Sequence, residues 1–341
     1  VEAMIVDVQC IMQSLADLSK KFHTKFITTS SKVKITGGTH IEFEEGRAYD
    51  IAKEIIRTAI DNFPNRGATE IPTQYSDCVP GFSHEYIRYM QGGMFRGSFR
   101  PLNDAVMSGR LRSVAGVVGC NNPRATQDAA HQYVTKELLK NDVLVVSTGC
   151  GALASAKYGL LTGEAAMEYA GPGLREVCEA IGIPPVLHMG SCVDNTRILT
   201  VLTEMATEGG LGDDISDIPG VGIAPEWMSE KALAIGAYFA ASGAYVIFGV
   251  NAPTEASENV TRIMSEGWEK TVGGKMEFVP EPAEMVRRTL AHIDAKRAAL
   301  KLPAYDASKW GKSGDARINE LLQKSEEERF AALYGNVRVP A

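Results

Sequence analysis

The segment VLVVSTGC, residues 143–150, joins an apolar run of strand length to a glycine and a cysteine. Short apolar runs are typical of strands that are buried on both faces of a parallel sheet. Similar runs recur along the chain. The predicted strands are Ala3–Val8, Val33–Thr36, Ser113–Val118, Asp142–Val146, Val186–Met189 and Ala244–Val250.

Helical patterns alternate with these runs. Between Ala48 and Ile60, apolar residues recur three and four positions apart, which is the spacing of one helix face. The other predicted helices are Ala125–Leu139, Gly173–Ile181, Thr196–Thr207, Ser229–Ala241, Glu281–Leu300 and Ala316–Tyr334. Strands that alternate with helices indicate βαβ units. We therefore predict an α/β fold with Rossmann-like parallel sheets flanked by helices.

The length of the chain favours two domains, because 341 residues are too many for one ordinary core. The glycine-rich segment Met90–Arg100 is the best place for a boundary. We expect residues 1–105 to belong to one Rossmann-like domain. Residues 106–341 are expected to form a second one that ends in surface helices.

Charge and hydropathy exclude several classes of partner. The net charge is −7 and no run of Lys and Arg occurs, so nucleic acid is a poor candidate. Ala232–Val250 is nearly free of charge, but it is rich in Ala and Gly and is interrupted by Ser242-Gly243. A helix followed by a buried strand explains it better than a membrane span, which needs about 20 strongly apolar residues.

The amino terminus, VEAMIVDVQC, has no basic region and no cleavage site of the kind found in secretory signals. It lacks an initiator Met and begins within an apolar run, so we expect the chain to be a fragment. We also expect a reducing, cytoplasmic compartment. Clustered cysteines in such a compartment more often serve metal binding or catalysis than disulfides.

Four of the six cysteines share one position relative to the predicted strands. Cys10, Cys120, Cys150 and Cys192 each lie within a few residues of a strand's carboxyl end, where open α/β sheets bind their ligands. A single cysteine is often only a small buried hydrophobic residue. Four in equivalent places make that interpretation much weaker and favour a shared site.

Glycines support this interpretation. Gly119 and Gly149 immediately precede two of these cysteines, and Gly190 lies two residues before a third. Glycine permits sharp turns and lets backbone N–H groups approach a ligand. Cys78 and Cys178 lack this context. We expect Cys178 to pack inside a helix, and we leave the role of Cys78 open, with a structural one favoured.

The spacing of the cysteines disfavours a simple zinc site. Zinc sites usually bring paired ligands two to four residues apart, and no CxxC occurs here. Cys150 follows Cys120 by 30 residues and Cys192 follows Cys150 by 42, about one βαβ unit each. Ligands delivered singly by successive units suit a larger inorganic cluster, and iron–sulfur clusters take thiolates.

Four blocks of sequence resemble the nickel-containing anaerobic carbon monoxide dehydrogenases of the prismane/hybrid cluster protein superfamily. They are VVGCNNPR (117–124), STGCGALASAKYGL (147–160), LHMGSCVDNTR (187–197) and APEWMSEKALAIG (224–236). The resemblance extends from Ala3 to about Val250. It implies a prismane-like arrangement, with residues 1–105 as part of the middle domain and residues 106–341 as the carboxyl-terminal domain.

The resemblance also implies a [Ni-4Fe-4S] cluster. Cys10, Cys120 and Cys150 match the cysteines that bind its three cubane irons, and Cys192 matches the cysteine on nickel. In the family, a His and another Cys hold the remaining iron, and further cysteines bind additional [4Fe-4S] clusters. All of these precede the block that contains Cys10, so they would lie outside this chain.

Other residues receive roles mainly from the resemblance. Lys231 matches a lysine beside nickel that hydrogen-bonds a bound carboxylate and moves protons, and Ile235 lies one helical turn later as an apolar cover. On sequence alone they would be a solvated residue and a core residue. His188, four residues before Cys192, is interpreted as a group near the site or in the core, and His40 as a loop histidine. We expect Asn121, Asn122 and Arg124 around the cluster, not on it.

The family catalyses CO + H2O ⇌ CO2 + 2H+ + 2e−. The electrons pass to a ferredoxin-like carrier, the enzymes are homodimers, and some bind an acetyl-CoA synthase subunit. Two alternatives remain open at this point. One is a hybrid-cluster reductase without nickel, and the other is a non-catalytic scaffold for cluster assembly.

Overall fold

The computed structural model describes residues 1–310 apart from Gln9, Gln74 and Ser76, together with Glu328. Contacts divide the chain into two compact units, Val1–Tyr75 and Ser76–Ala341. Each unit has its own parallel sheet, so the predicted fold class is confirmed: an α/β fold with two parallel sheets flanked by helices. The boundary between two Rossmann-like domains that the sequence predicts at residues 105 and 106 is not tested by these two units and stays a prediction.

Within its described residues, the first unit is a three-stranded parallel sheet with two α-helices. The strands pair in the order β1 (Ala3–Val6), β2 (Lys25–Thr28) and β3 (Thr39–His40), and the helices are α1 (Ser14–Ser19) and α2 (Ala48–Asn62). Its small core includes Ile27, Ile41 and Ile51, the last from the predicted face of α2. The predicted helix in this region is therefore confirmed.

One strand prediction in the first unit is wrong. Val33–Thr36 is not a strand, and the strand that pairs with β1 is instead β2, eight residues earlier in the chain. The reason is burial. Phe26 and Ile27 of β2 are 3% and 0% exposed, whereas Val33 and Ile35 are only partly buried. The buried pair Phe26-Ile27 is flanked by Lys25 and Thr28, so this strand contains no apolar run long enough to predict it from the sequence.

The second unit is a six-stranded sheet in which every pairing is parallel. Its strands are β4 (Ser113–Val117), β5 (Val143–Thr148), β6 (Val186–Gly190), β7 (Gly220–Ala224), β8 (Tyr245–Phe248) and β9 (Lys275–Phe278). They lie in the order β6-β5-β4-β7-β8-β9. In register, Ser113 faces Val143 and Val114 faces Gly220. The order reverses direction at the β4–β7 pair, which is the kind of switch point where such sheets bind ligands.

Twelve α-helices surround this sheet within the residues that the structure describes. They are α3 (His84–Met90), α4 (Gly93–Arg96), α5 (Arg100–Met107), α6 (Ala129–Lys140), α7 (Gly149–Lys157), α8 (Gly163–Tyr169), α9 (Pro172–Ile181), α10 (Asn195–Glu208), α11 (Glu230–Ala241), α12 (Glu258–Arg262), α13 (Trp268–Val272) and α14 (Pro282–Ala299). A π-helical turn, Ile263–Gly267, joins α12 to α13. Short 3-10 turns occur at Cys192–Asp194, Ile215–Asp217, Pro253–Ala256 and Ala307–Lys309 in this unit.

Most predicted elements of the second unit are confirmed. The runs beginning at Ser113, Asp142, Val186 and Ala244 correspond to β4, β5, β6 and β8, and the predicted helices from residue 125 to residue 300 correspond to α6, α9, α10, α11 and α14. The helix predicted at 316–334 lies outside the described residues except for Glu328. Two strands were missed, β7 and β9.

The uncharged segment Ala232–Val250 contains most of α11 followed by β8, as the sequence predicts. Within the described part of the chain, no helix combines the length and the apolar character that crossing a membrane requires. The buried side chains of α11 and β8, including Phe239, Ile247 and Phe248, join the single large core cluster of this unit.

Candidate metal centre

Three of the predicted ligand cysteines follow three adjacent strands of the second unit. Cys120 lies three residues after β4, Cys150 is the second residue of α7 just after β5, and Cys192 opens the 3-10 turn just after β6. Since these strands are neighbours and parallel, all three cysteines lie at one edge of the sheet. Neighbouring strands are about 5 Å apart, so consecutive ligand loops are in reach of one cluster.

Cys192 and the Cys150 turn are in direct contact. A Cβ built on Gly149 would overlap the Sγ of Cys192, and Gly149 has a φ of +57°, in the left-handed region that favours glycine. Only a residue without a side chain leaves room for the sulfur here. Gly149, which immediately precedes Cys150 in the sequence, thus provides the space for the sulfur of Cys192.

Hydrogen bonds fix the backbone at Cys192. Asn195 Nδ2 donates to the Cys192 carbonyl at 2.9 Å, and the buried Thr148 hydroxyl donates to Asn195 Oδ1 at 2.8 Å. Ser191 N–H donates to Asp194 Oδ2 at 2.8 Å. Partial burial pushes the pKa of Asp194 upward, but the hydrogen bonds from Ser191 and Arg197 outweigh it and hold that pKa below its usual range. The turn is thereby tied to the end of β5.

The Cys120 turn is held on both sides of the cysteine. Gly151 N–H donates to the Gly119 carbonyl at 3.2 Å, and His131 Nε2 lies 2.8 Å from the Cys120 carbonyl. Gly119 has a φ of +101°, which again favours glycine. Because a carbonyl can only accept, Nε2 carries the proton. Cys120 itself is buried, with 5% of its surface exposed.

The loop after β7 reaches the same cysteine. Ser229 Oγ lies 3.8 Å from Cys120 Sγ, and Asn122 Nδ2 donates to the Trp227 carbonyl at 3.1 Å. Trp227 is 6% exposed, its indole N–H donates to the Val250 carbonyl, and its ring packs edge-on against Phe248. The loops that follow β4 and β7 therefore meet beside Cys120.

Lys231 and Ile235 lie on the helix that follows this loop. Lys231 is half-buried in the first turn of α11, two residues after Ser229. Ile235 is one turn later, partly buried, and packs against the core. This places Lys231 at the cysteine edge of the sheet. Whether its amine faces the cysteines stays a prediction.

The remaining cysteines differ in environment. Cys10 follows β1 in the first unit, is exposed, and has a φ of +53°. Its predicted convergence with the other three stays a prediction. Cys178 is buried in α9, where burial raises the pKa of its thiol, and this agrees with the expected packing role. Cys78 is exposed, next to Val79, whose N–H donates to the Leu161 carbonyl.

The two histidines that could mimic ligands have other partners. His188 lies on β6, and its Nδ1 accepts from Gly190 N–H at 3.0 Å. His40 is not in a loop, as we had expected, but on β3, because its backbone pairs with β2. Its ring lies 2.9 Å from Thr28 Oγ1 and 2.7 Å from Glu42 Oε2, and that hydrogen bond lowers the pKa of Glu42.

The donor set has the chemistry of a cluster site, because iron–sulfur clusters take cysteine thiolates. No group of three or more His, Cys, Asp or Glu side chains in the described part of the chain could hold one metal ion. A cluster takes one thiolate on each of several metal atoms, so its cysteines are spread over a wider area. Cys120, Cys150 and Cys192 are spread in this way, because each follows a different strand, and Gly149 leaves space for the sulfur of Cys192.

A sequence profile of the Prismane/CO dehydrogenase family matches residues 1–283. The chain belongs to this family. Carbon monoxide dehydrogenase 1 of Methanosarcina mazei is 49% identical to it over 304 residues, which cover 89% of this chain and 47% of that protein. A carbon monoxide dehydrogenase/acetyl-CoA synthase subunit beta of Moorella thermoacetica is 39% identical over 307 residues, covering 86% of this chain and 45% of that protein.

Solved structures of the same family share the fold. An as-isolated, nickel-free carbon monoxide dehydrogenase from Thermococcus sp. AM4 matches with a TM-score of 0.82 at 46% identity, over 89% of this chain and 47% of that one. The chain thus spans about half the length of the relatives that it matches.

Several residues at this edge were not singled out from the sequence, namely His131, Asn195, Glu226 and Ser229. His131 and Glu226 carried a usable signal. His131 recurs with Val134 and Leu138 at the spacing of one helix face, and Glu226 is the one charged residue in the stretch GVGIAPEWM, residues 220–228. Polar groups in apolar surroundings need partners, so such positions mark local networks. Of the expected surrounding groups, Asn121 donates to the Glu226 carboxylate and Asn122 donates to the Trp227 carbonyl, whereas Arg124 is exposed.

Proposed function

We propose that this chain supplies the nickel-binding half of a carbon monoxide dehydrogenase, which catalyses CO + H2O ⇌ CO2 + 2H+ + 2e−. The observation that supports the proposal most is the placement of Cys120, Cys150 and Cys192 after three adjacent parallel strands. Membership of the family and the similarity to proteins named carbon monoxide dehydrogenase agree with it.

The cysteines of this chain would hold a [Ni-4Fe-4S] cluster. Cys10, Cys120 and Cys150 would each bind an iron atom, and Cys192 would bind nickel. When bound, the cluster supplies the metal atoms at which CO and water react and takes up the two electrons. The remaining iron ligands and the [4Fe-4S] relay clusters would come from residues outside this chain, in keeping with its covering about half of each relative.

Lys231 would act on the substrate side of the site. Its ammonium group would donate a hydrogen bond to an oxygen atom of the bound substrate or product and would pass a proton onward. The contact between Ser229 and Cys120 supports this role, because it brings the start of α11 beside a proposed ligand. Ile235, one turn later, would keep bulk water away from the small gas molecule.

The proposal includes partners. Electrons would leave to a ferredoxin-like carrier, and the enzyme would be a homodimer. The relative from Moorella thermoacetica is named a carbon monoxide dehydrogenase/acetyl-CoA synthase subunit, and the proposal extends to an acetyl-CoA synthase subunit as a further partner of this protein.

Alanine variants of the cysteines in the complete protein test the proposal. Cys120→Ala and Cys150→Ala should lower iron content, the sulfide-to-iron absorption and the anaerobic, CO-dependent reduction of a viologen dye. Cys192→Ala should lower nickel more than iron. Cys178→Ala is the matched control, since this buried thiol lies inside α9, away from the strand ends. It should keep metal and activity.

Two results would overturn the proposal in different ways. Wild-type protein that binds iron and sulfide but no nickel, and does not oxidise CO, would indicate a hybrid-cluster reductase. Protein without any cluster, in which all four alanine variants behave alike, would indicate a non-catalytic scaffold.

A further inference from the structure

Glu226 is a buried carboxylate that no step of the proposed reaction uses. It lies two residues after β7 and is 1% exposed. Its Oε2 accepts from Asp128 N–H at 3.1 Å and from Asn121 Nδ2 at 3.0 Å, and its Oε1 accepts from Ala130 N–H at 3.0 Å. These donors form the first turn of α6 and the loop that carries Cys120. One carboxylate therefore ties the end of β7 to the Cys120 loop.

Asp128 extends this network to the Cys150 helix. It is 3% exposed and adopts a φ of +65°, which is strained for a residue with a side chain. Its carboxylate accepts from Asn121 Nδ2 at 2.8 Å and forms an ion pair with Lys157. Lys157 is the last residue of α7, the helix in which Cys150 is the second residue. The start of α6 and the end of α7 are thus bound together.

His131 closes the network on the cysteine itself. It is 1% exposed, and its Nε2–H donates to the Cys120 carbonyl. Its Nδ1 has no hydrogen-bond partner among the described residues. The Nε2–H hydrogen bond fixes the peptide from which the Cys120 thiol projects.

Stability alone explains such a group poorly. Burying charged side chains costs hydration, and apolar residues of the same size often stabilise a fold equally well or better. What a satisfied polar network provides is a single fixed geometry. The part of the chain that is fixed here includes both the Cys120 turn and α7, the helix that carries Cys150.

We propose that Asn121, Asp128, His131, Lys157 and Glu226, here called the loop clamp, are positioning residues that set Cys120 and the Cys150 helix in the arrangement that a cluster requires before metal arrives. The proposal rests on the proposed function in one respect, the assignment of Cys120 and Cys150 as ligands. The loop clamp does not contact substrate.

Alkylation of thiols in metal-free protein tests the loop clamp without any activity measurement. The complete protein is prepared free of metal, kept reduced, treated with iodoacetamide, and the modification of each cysteine is followed by mass spectrometry. In wild type, buried Cys120 should react slowly. His131→Leu removes the donor to its carbonyl and should raise its rate about tenfold or more, because a buried acceptor is left unsatisfied. His131→Gln keeps a donor and should restore slow reaction.

Glu226→Gln gives a second, independent variant. Its amide NH2 would face the N–H donors of Asp128 and Asn121, so the Cys120 rate should rise again. Cys178 is the internal reference, because it is 3% exposed and reacts only if the whole unit opens. A variant in which Cys178 reacts much faster than it does in wild type has unfolded, and the comparison then rests on the remaining variants.

Asp142→Asn is the matched control. Asp142 is also a fully buried carboxylate at positive φ that accepts a helix N–H, that of Leu174 at 2.8 Å, but it immediately precedes β5 and so lies at the opposite edge of the sheet. This variant should lower the unfolding temperature and leave the Cys120 rate unchanged. Equal Cys120 rates in wild type, His131→Leu and Glu226→Gln would overturn the loop clamp.

Reconstitution separates this inference from the proposed function. If wild type takes up iron and nickel, His131→Leu and Glu226→Gln should take up less and show a shifted cluster absorption, whereas Asp142→Asn should match wild type. If wild type takes up no cluster, the proposed function fails, and the alkylation rates still decide whether the loop clamp holds Cys120.

Discussion

Gly149 lies against the sulfur of Cys192, so closely that a side chain on Gly149 and the thiol of Cys192 cannot occupy their present positions together. The two residues belong to different strand ends, those of β5 and β6. The space that one turn leaves empty is therefore occupied by the proposed nickel ligand of the next.

Gly149→Ala should displace Cys192 and lower nickel content. The φ of +57° adds a backbone cost of about 1–2 kcal/mol for any residue with a Cβ. Gly159→Ala separates this backbone cost from the overlap with the Cys192 sulfur. Gly159 also has a positive φ, +70°, but a Cβ built on it has no atom within 4 Å. Both variants should lose similar stability in urea unfolding, but only Gly149→Ala should lose nickel by elemental analysis. Equal nickel in the two variants would contradict the close approach.

Asn195→Ala should weaken nickel retention by releasing the Cys192 carbonyl and leaving the Thr148 hydroxyl without its acceptor. The expected loss of stability is about 1–3 kcal/mol. Asn103→Ala is the comparison, because buried Asn103 similarly donates to the carbonyls of Met205 and Gly209. Dissociation of nickel in the presence of a chelator should accelerate only in Asn195→Ala. The prediction fails if both variants release nickel at the wild-type rate.

Lys231→Ala should lower the kcat of CO oxidation by about 10² or more, the effect typical of a positioned acid or base. The cluster absorption and the metal content should stay as in wild type, because the cysteines are untouched. Lys270→Ala, an exposed lysine on α13, serves as the control and should keep full activity. Undiminished kcat in Lys231→Ala would remove Lys231 from the mechanism.

His292 should make the second unit less stable in mild acid. Burial, reinforced by Lys296 and Lys275 and opposed by Glu277, lowers its pKa from 6.5 to about 4, and its ring packs on Tyr245 with a centroid distance of 4.8 Å. The unfolded chain binds a proton below about pH 6.5, but the folded chain does so only near pH 4. The stability from this residue is therefore complete above pH 6.5 and is lost as the pH falls towards 4.

Between about pH 7 and pH 5 the loss from His292 should be at most about 2 kcal/mol. The measurement is urea unfolding at both pH values for wild type and His292→Phe, which keeps a ring beside Tyr245 but cannot be protonated. The difference between the two proteins should shrink or reverse as the pH falls. A difference that is constant with pH would contradict the lowered pKa.

The sequence predicted the strands whose own residues are strongly apolar. β5 and β8 are buried throughout, and their apolar runs are continuous. β7 escaped prediction although it lies between β4 and β8, because Gly220 and Gly222 give it no hydrophobic pattern. Its place in the sheet is decided by neighbours on both sides, which a local window of sequence does not contain.

The cysteines of the candidate site were also predictable from local sequence, but the residues that support them were not. Cysteines after strands and glycines beside them form a local pattern, so Cys120, Cys150 and Cys192 could be assigned to one edge from the sequence. Their supporting partners could not. Glu226 and Asn121 are 105 residues apart in the chain, and only the parallel pairing of β4 with β7 brings them together.

Trp227 has an optical consequence. It is one of three tryptophans in the chain, its carbonyl accepts from Asn122 in the Cys120 loop, and its indole is held in the core against Phe248. An iron–sulfur cluster absorbs through the near-ultraviolet and visible range, where indole emits. A cluster seated at the proposed cysteines would therefore quench this fluorescence by energy transfer. Trp227 is therefore an intrinsic fluorescent probe beside the site, and the decrease of its emission would report cluster insertion in real time without an added label.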